Sequence, residues 1–448
     1  MTNGSPQVLT GTRATALYIG ALLGPGLLLL PGLAASIAGP ASILAWLGLL
    51  GVSALLAATF AALAAEVPSA AGAMGYAEAG LGPAAGAVTG WWFLAAVTLG
   101  VPTVSIVGAS YVTDLAGGGR GATSAVAVAI LAAVLVLALA GLRSTTAVQL
   151  ALVGLLVLAI ALAVVGAWPH ASAARWEPFA PHGLPAVGRA AAVLMLAFFG
   201  WEAVAPLAVR VRSRRVLTWV IAAAFALTAV IYVALAVLTI SVLPADQVAA
   251  PSGPVPVADL LAAGFGTAGR TLAAVTAVVV TLGTVNAYLA GATELATALA
   301  ASATGRDRRL PVAVAASGAV IIAGFGAGLF STATLISVAT ALLVAVYLTS
   351  TAAATRLLTG RRRAYAALSL LAVIAVLAFT GWALLTPAGV ALVALAYRAA
   401  RPGRSAAADP RRPGGEPHAA VAAAYGADAV RAADQAGDRV GADLTPPG

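Results

Sequence analysis

Long apolar stretches, cut by charges, prolines and clusters of glycine, set the pattern of this chain. Cutting at those interruptions leaves about twelve segments, at residues 15–37, 41–65, 84–113, 122–142, 146–168, 188–209, 216–243, 271–301, 311–330, 333–356, 364–381 and 383–398. Each is near the roughly 20 residues that an α-helix needs to cross a hydrocarbon core. The pattern predicts an all-α polytopic membrane protein with about 12 transmembrane helices. Residues 1–14 and the Ala/Gly/Pro/Arg/Asp mixture of residues 399–448 are too polar to bury a core and read as disordered tails.

Two segments are interrupted in the middle. The first carries Gly24-Pro25-Gly26 and the sixth carries Gly200-Trp201-Glu202. Proline has no amide hydrogen and clashes with the preceding turn, while glycine accepts conformations that other residues avoid, so both sites free backbone groups at membrane depth. Such groups are tolerated only where they are buried in protein or line a cavity. Each broken segment is followed by four more, which predicts a 5+5 inverted repeat with broken helices 1 and 6. The repeats are residues 15–168 and 188–356, followed by two accessory helices at 364–398. The connections from Pro169 to Val187 and from Pro244 to Arg270 read as external cover or gate elements.

Composition agrees with this class. Hydrophobic residues make up 61% of the chain and charged residues 9%, far from the balance of a soluble domain. The net charge of +9 would raise nucleic-acid binding in a soluble protein; here the placement of the charges matters more. All 24 basic residues are arginines. With the N-terminus cytoplasmic, 20 fall inside and four outside, namely Arg120, Arg175, Arg189 and Arg270. This places both termini in the cytoplasm of a multi-pass inner (plasma) membrane protein whose partners include the lipid bilayer and no nucleic acid. The chain has no cysteine, which rules out thiolate metal sites and disulfides. No HExxH, paired-aspartate or phosphate-loop motif occurs, so the expectation is a non-enzyme without cofactor or metal.

The candidate chemistry lies at the breaks. A half-helix restarting after the first triplet offers the amides of Gly26, Leu27 and Leu28 to a carboxylate, with Gly24 and Pro25 shaping the turn. Carbonyls freed at the second break, from Ala197 to Gly200, suit a substrate ammonium, and the rings of Phe198, Phe199 and Trp201 suit gating or cation-π contact. Glu202 is a carboxylate well inside a span, where ionisable groups are costly and mark function, so it is the candidate gating and proton-coupling residue. Thr281, Thr284 and Asn286 in the eighth segment are candidates for a sodium site, the two threonines foremost; hydroxyls also bond to their own helix. Glu66 and Glu294 sit near span ends and read as interface residues.

These features resemble the amino acid-polyamine-organocation superfamily over about residues 10–400. Its Gly-small-Gly break followed by proline is similar to Gly24-Pro25-Gly26 with Pro31. Its Phe-x-Gly-hydrophobic-Glu is matched by Phe198, Gly200, Trp201 and Glu202. Pro68-Ser69-Ala70-Ala71-Gly72, Thr89-Gly90-Trp91 and Gly100-Val101-Pro102 resemble its second loop and third helix. Within the superfamily the chain looks like the methionine and branched-chain amino-acid efflux permeases. The resemblance implies the LeuT/APC-like fold and alternating access around helices 1 and 6. Three departures stand out. Pro25 replaces the usual Ser or Thr, the acidic pair and Asn-Pro after helix 6 are replaced by Val209-Arg210-Val211-Arg212-Ser213, and no lysine exists to stand in for sodium in helix 5.

The expectation is a secondary active permease or antiporter for neutral hydrophobic amino acids, linked to protons or alternatively to sodium. Two rivals stay open at this point: a polyamine or organic-amine carrier of the same superfamily, and a non-transporting scaffold or sensor on the same fold.

Overall fold

A computed structural model of the protein describes residues 15, 19, 23–67, 72–140, 146–201, 214–248, 255–300 and 309–400. Its regular structure is helical throughout, with no strand among the described residues. In chain order the helices are α1 (Leu30–Ala38), α2 (Ser42–Glu66), α3 (Gly72–Leu81), α4 (Pro83–Ala116), α5 (Arg120–Leu139), α6 (Thr146–Ala167), α7 (Pro185–Leu194), α8 (Arg214–Val242), α9 (Ala245–Val248), α10 (Pro256–Ala300), α11 (Arg309–Gly326), α12 (Thr332–Leu357), α13 (Gly360–Ala378) and α14 (Leu385–Ala399). Eight helical stretches among the described residues are long and apolar enough to cross a membrane, the first being Leu30–Glu66 across the bend between α1 and α2. Pro185–Phe198 and Leu310–Gly326 are shorter apolar helices. The protein is a multi-pass membrane protein. Residues up to Ala394 form one compact unit, and those from Leu395 belong to a second.

Each of the twelve predicted segments contains helix, but two details differ from expectation. The stretch after Gly72, read as loop, is the helix α3, which packs on α4 and α12. Gly80 accounts for the closeness, since a Cβ there would stand 2.7 Å from the Ala353 backbone. The helix of the eighth segment, α10, begins at Pro256 rather than near 271 and bends at Gly266, where φ is +55° and ψ −137°. A backbone in that region is strained for any residue with a Cβ, so the glycine turns the chain there. The predicted external cover from Pro244 to Arg270 is therefore largely helical.

Helix α4 is the central post, packed by α3, α5, α10, α11 and α12. It contains Pro102, which cannot donate to the Thr98 carbonyl one turn back. Ser317 of α11 donates its hydroxyl to that carbonyl at 2.8 Å, so a neighbouring helix satisfies the group that proline leaves open. α7 lies against α1 and α2, which brings the two expected breaks toward each other, and the turns at the breaks touch directly.

Candidate functional site

The first break begins where Gly24 is extended (φ −83°, ψ 172°), followed by a 3₁₀ turn over Pro25–Leu28. The turn forms because Pro25 lacks an amide and can only start a helical segment. Leu27 donates to the Gly24 carbonyl at 3.1 Å and Leu29 to the Gly26 carbonyl at 3.1 Å before α1 takes over at Leu30. The Leu27 amide, expected to await a carboxylate, is engaged within its own turn. Pro31 falls in the first turn of α1, where a missing amide costs no intrahelical bond.

At the second break α7 tightens into a 3₁₀ turn over Met195–Phe198, Phe199 is extended, and Gly200 adopts φ +132°. Only glycine adopts that conformation readily, so the helix ends there by local chemistry. Glu202 lies outside the described residues.

Three buried tyrosines hold the broken backbone, and the sequence reading did not foresee them. Tyr111 of α4 donates its hydroxyl to the Leu28 carbonyl in the first break. Tyr232 of α8 donates to the Ala197 carbonyl at 2.5 Å. Tyr347 of α12 accepts from the amides of both Gly200 and Trp201, each at 3.2 Å. Buried backbone groups left without partners cost free energy comparable to a lost hydrogen bond, so these hydroxyls make the breaks affordable at membrane depth. A tyrosine with its hydroxyl one ring-length from the backbone was the available signal, but tyrosine in an apolar span looks the same whether it packs or bonds.

Between the breaks lies a cavity of about 120 Å³. Its walls come from Gly24, Gly26 and Leu27 of the first break, Leu196, Ala197 and Phe199 of the second, and faces of α4, α8, α10 and α12. Polar groups in the wall are few: Thr103, Tyr232, Thr284 and Tyr288. None of the described lining residues carries a charge.

The expected site residues therefore divide. Gly24, Gly26, Leu27, Ala197, Phe199 and Thr284 meet at one cavity. Four others face elsewhere, and each departure has a physical cause. Leu28 is buried and its carbonyl is held by Tyr111. Phe198 packs edge-on against Tyr232 (5.2 Å between centroids) and tilted against Trp46 (6.0 Å). Gly200 is turned to Tyr347. Trp201, only 1% exposed, donates its indole N–H to Ser53 of α2 at 2.8 Å, because a buried indole needs an acceptor. Pro25 starts the first turn; its side chain lies outside the described ones, as does that of Glu294. Thr281 is buried against α4, where a Cβ on Gly108 would come within 2.8 Å of its hydroxyl oxygen, and that hydroxyl makes no hydrogen bond among the described residues. Asn286 is buried on the same helix. Glu66 pairs with Arg362 of α13.

A profile of the amino acid permease family matches residues 9–395. The chain belongs to that family. The permease is 31% identical over 406 residues to the uncharacterized amino acid permease YecA of Bacillus subtilis (strain 168), an alignment covering 87% of this chain and 95% of that one. It is 28% identical to the branched-chain amino acid permease BcaP of the same organism, over 54% of this chain and 56% of BcaP. It is 31% identical to the L-methionine/branched-chain amino acid exporter YjeH of Escherichia coli (strain K12), over 46% of this chain and 49% of YjeH. The breaks and the cavity of the permease lie within the family match, and what encloses them is a transporter fold.

Proposed function

We propose that the protein is a secondary transporter of neutral, hydrophobic amino acids that works by alternating access in the plasma membrane with both termini cytoplasmic. One observation carries this reading: an apolar cavity, without charge among its described lining residues, sits between two helix breaks that present backbone groups. A zwitterion needs polar partners only at its two ends. The first break, at Gly24, Gly26 and Leu27, faces the carboxylate end, and the Ala197 carbonyl, which retains a second lone pair beside Tyr232, faces the ammonium. The side chain then rests on Val97, Val104, Ile336 and Leu343. A polyamine would place cationic nitrogens along that same apolar wall, where desolvation is unfavourable. The named relatives BcaP and YjeH, a branched-chain permease and a methionine and branched-chain exporter, support the same substrate class.

Within this reading the chain is organised as two five-helix repeats and two accessory helices, and Glu202, directly after the second break, links transport to protons. Sodium coupling would instead run through Thr284 and Thr281.

Counterflow in proteoliposomes tests the proposal. Vesicles are loaded with unlabelled methionine, leucine, arginine, glutamate or putrescine, and entry of each labelled counterpart is followed. Entry of methionine and leucine alone is the expected result. Entry of putrescine or arginine in preference would replace the substrate class, and no entry of any compound by folded protein would leave the scaffold reading in its place.

A further inference from the structure

One face of α4 runs on past the cavity into a charged cluster. Ala96, Gly100, Thr103, Val107, Tyr111 and Asp114 follow one another at spacings of four, three, four, four and three, which puts them along a single side of the helix. The first four line the cavity. Asp114 stands seven residues beyond Val107, about 10 Å along the axis.

At that end α10 folds over the post. Its first limb runs from Pro256 to the bend at Gly266, and the chain then turns back so sharply that a Cβ at Gly269 would lie 2.2 Å from the Leu261 carbonyl oxygen. α10 packs against the turn of the first break, whose Leu28 carbonyl Tyr111 holds, and one cation ties its first limb down. Arg270, just past the bend, reaches Asp114 of α4 at 2.5 Å and Asp259 of its own limb at 3.3 Å.

The two ion pairs differ in kind. Arg270 and Asp259 belong to the same folded-back segment and move together. Arg270 and Asp114 join that segment to α4. We infer that Arg270 is a positioning residue of the transport cycle: its pair with Asp114 latches the first limb of α10 over the first break and closes the cavity on that side. Opening the cavity there lifts the limb, separates the guanidinium from Asp114, and leaves it charge-paired to Asp259. The second carboxylate thus keeps the cation partnered in the open state, which lowers the cost of release. The inference rests on the transport reading, and its test does not use a substrate.

Since the chain has no cysteine, Ala339→Cys on the cavity wall is a unique reporter for a membrane-impermeant maleimide, applied to intact cells and to inside-out vesicles. In the Asp114→Asn background, labelling from the side of the α10 limb rises about two- to fivefold, the range for a partly exposed ion pair, while labelling from the opposite side falls. Asp114→Glu restores the parent rates, and Arg270→Gln, a second route to the same loss, shifts them as Asp114→Asn does. Unchanged rates from both sides in monodisperse protein, or a rise from both sides together, overturn the latch. Counterflow of leucine is measured separately in the cysteine-free protein; its failure there counts against the substrate proposal and leaves the labelling result standing.

Discussion

Tyr347→Phe isolates one hydroxyl. The ring packs against Phe199 at 4.6 Å and Phe60 at 5.3 Å between centroids, and phenylalanine preserves both contacts. What is lost is the acceptor for the amides of Gly200 and Trp201. Both bonds are 3.2 Å, at the long end of the normal range, so each is taken near the middle of the net hydrogen-bond scale, about 1 kcal/mol. Together they come to about 2 kcal/mol, or roughly thirtyfold in the equilibrium for local opening of the second break. Hydrogen exchange read by mass spectrometry on peptides spanning residues 195–201 measures that opening directly. The expected result is exchange at Gly200 and Trp201 accelerated by about thirtyfold, with peptides from α5 unchanged. Acceleration below about threefold in a folded variant would refute the claim that the Tyr347 hydroxyl holds the break. Leucine counterflow in the same variant is expected to slow, because a loosened break no longer presents its backbone in one geometry.

Other outcomes follow from the same geometry. A Cβ at Gly100 meets no atom within 4 Å although the residue lines the cavity, so Gly100→Leu is expected to fold normally and to reduce methionine and leucine counterflow by about tenfold or more; comparison of melting in detergent with counterflow checks both halves of that statement. Gly108→Ala presses a methyl against Thr281 at 2.8 Å and is expected to cost about 1–3 kcal/mol, seen as a lower melting temperature in detergent. Trp201→Phe leaves the buried hydroxyl of Ser53 without its indole donor and is expected to cost about 1 kcal/mol by the same assay, with substrate specificity unchanged because the ring faces Ser53 and not the cavity. Glu202→Gln is expected to abolish accumulation driven by a pH gradient while sparing exchange; accumulation that persists removes Glu202 from the proton path.

Much of the architecture was legible before any coordinates. The helices, the two interruptions and the apolar character of the cavity follow from local covalent facts. Proline at 25 has no amide to donate, glycine at 200 tolerates φ +132°, and an apolar run of span length satisfies its backbone only as a helix. Those properties belong to a residue and its neighbours, so the sequence states them directly, and the family match agrees. The facing of the helices was not legible. A span that is apolar all round carries no stripe to show which side meets a neighbour. Trp201 was therefore read as a gate ring, whereas it bonds to Ser53, 148 positions away in the chain. The hydroxyls of Tyr111, Tyr232 and Tyr347 meet backbone 83, 35 and 146 or 147 residues distant. The pairing of Arg270 with Asp114 likewise crosses 156 residues. The chain by itself determined where its helices break; the packing of distant helices decided which groups hold the breaks together and which surfaces they leave open to a substrate.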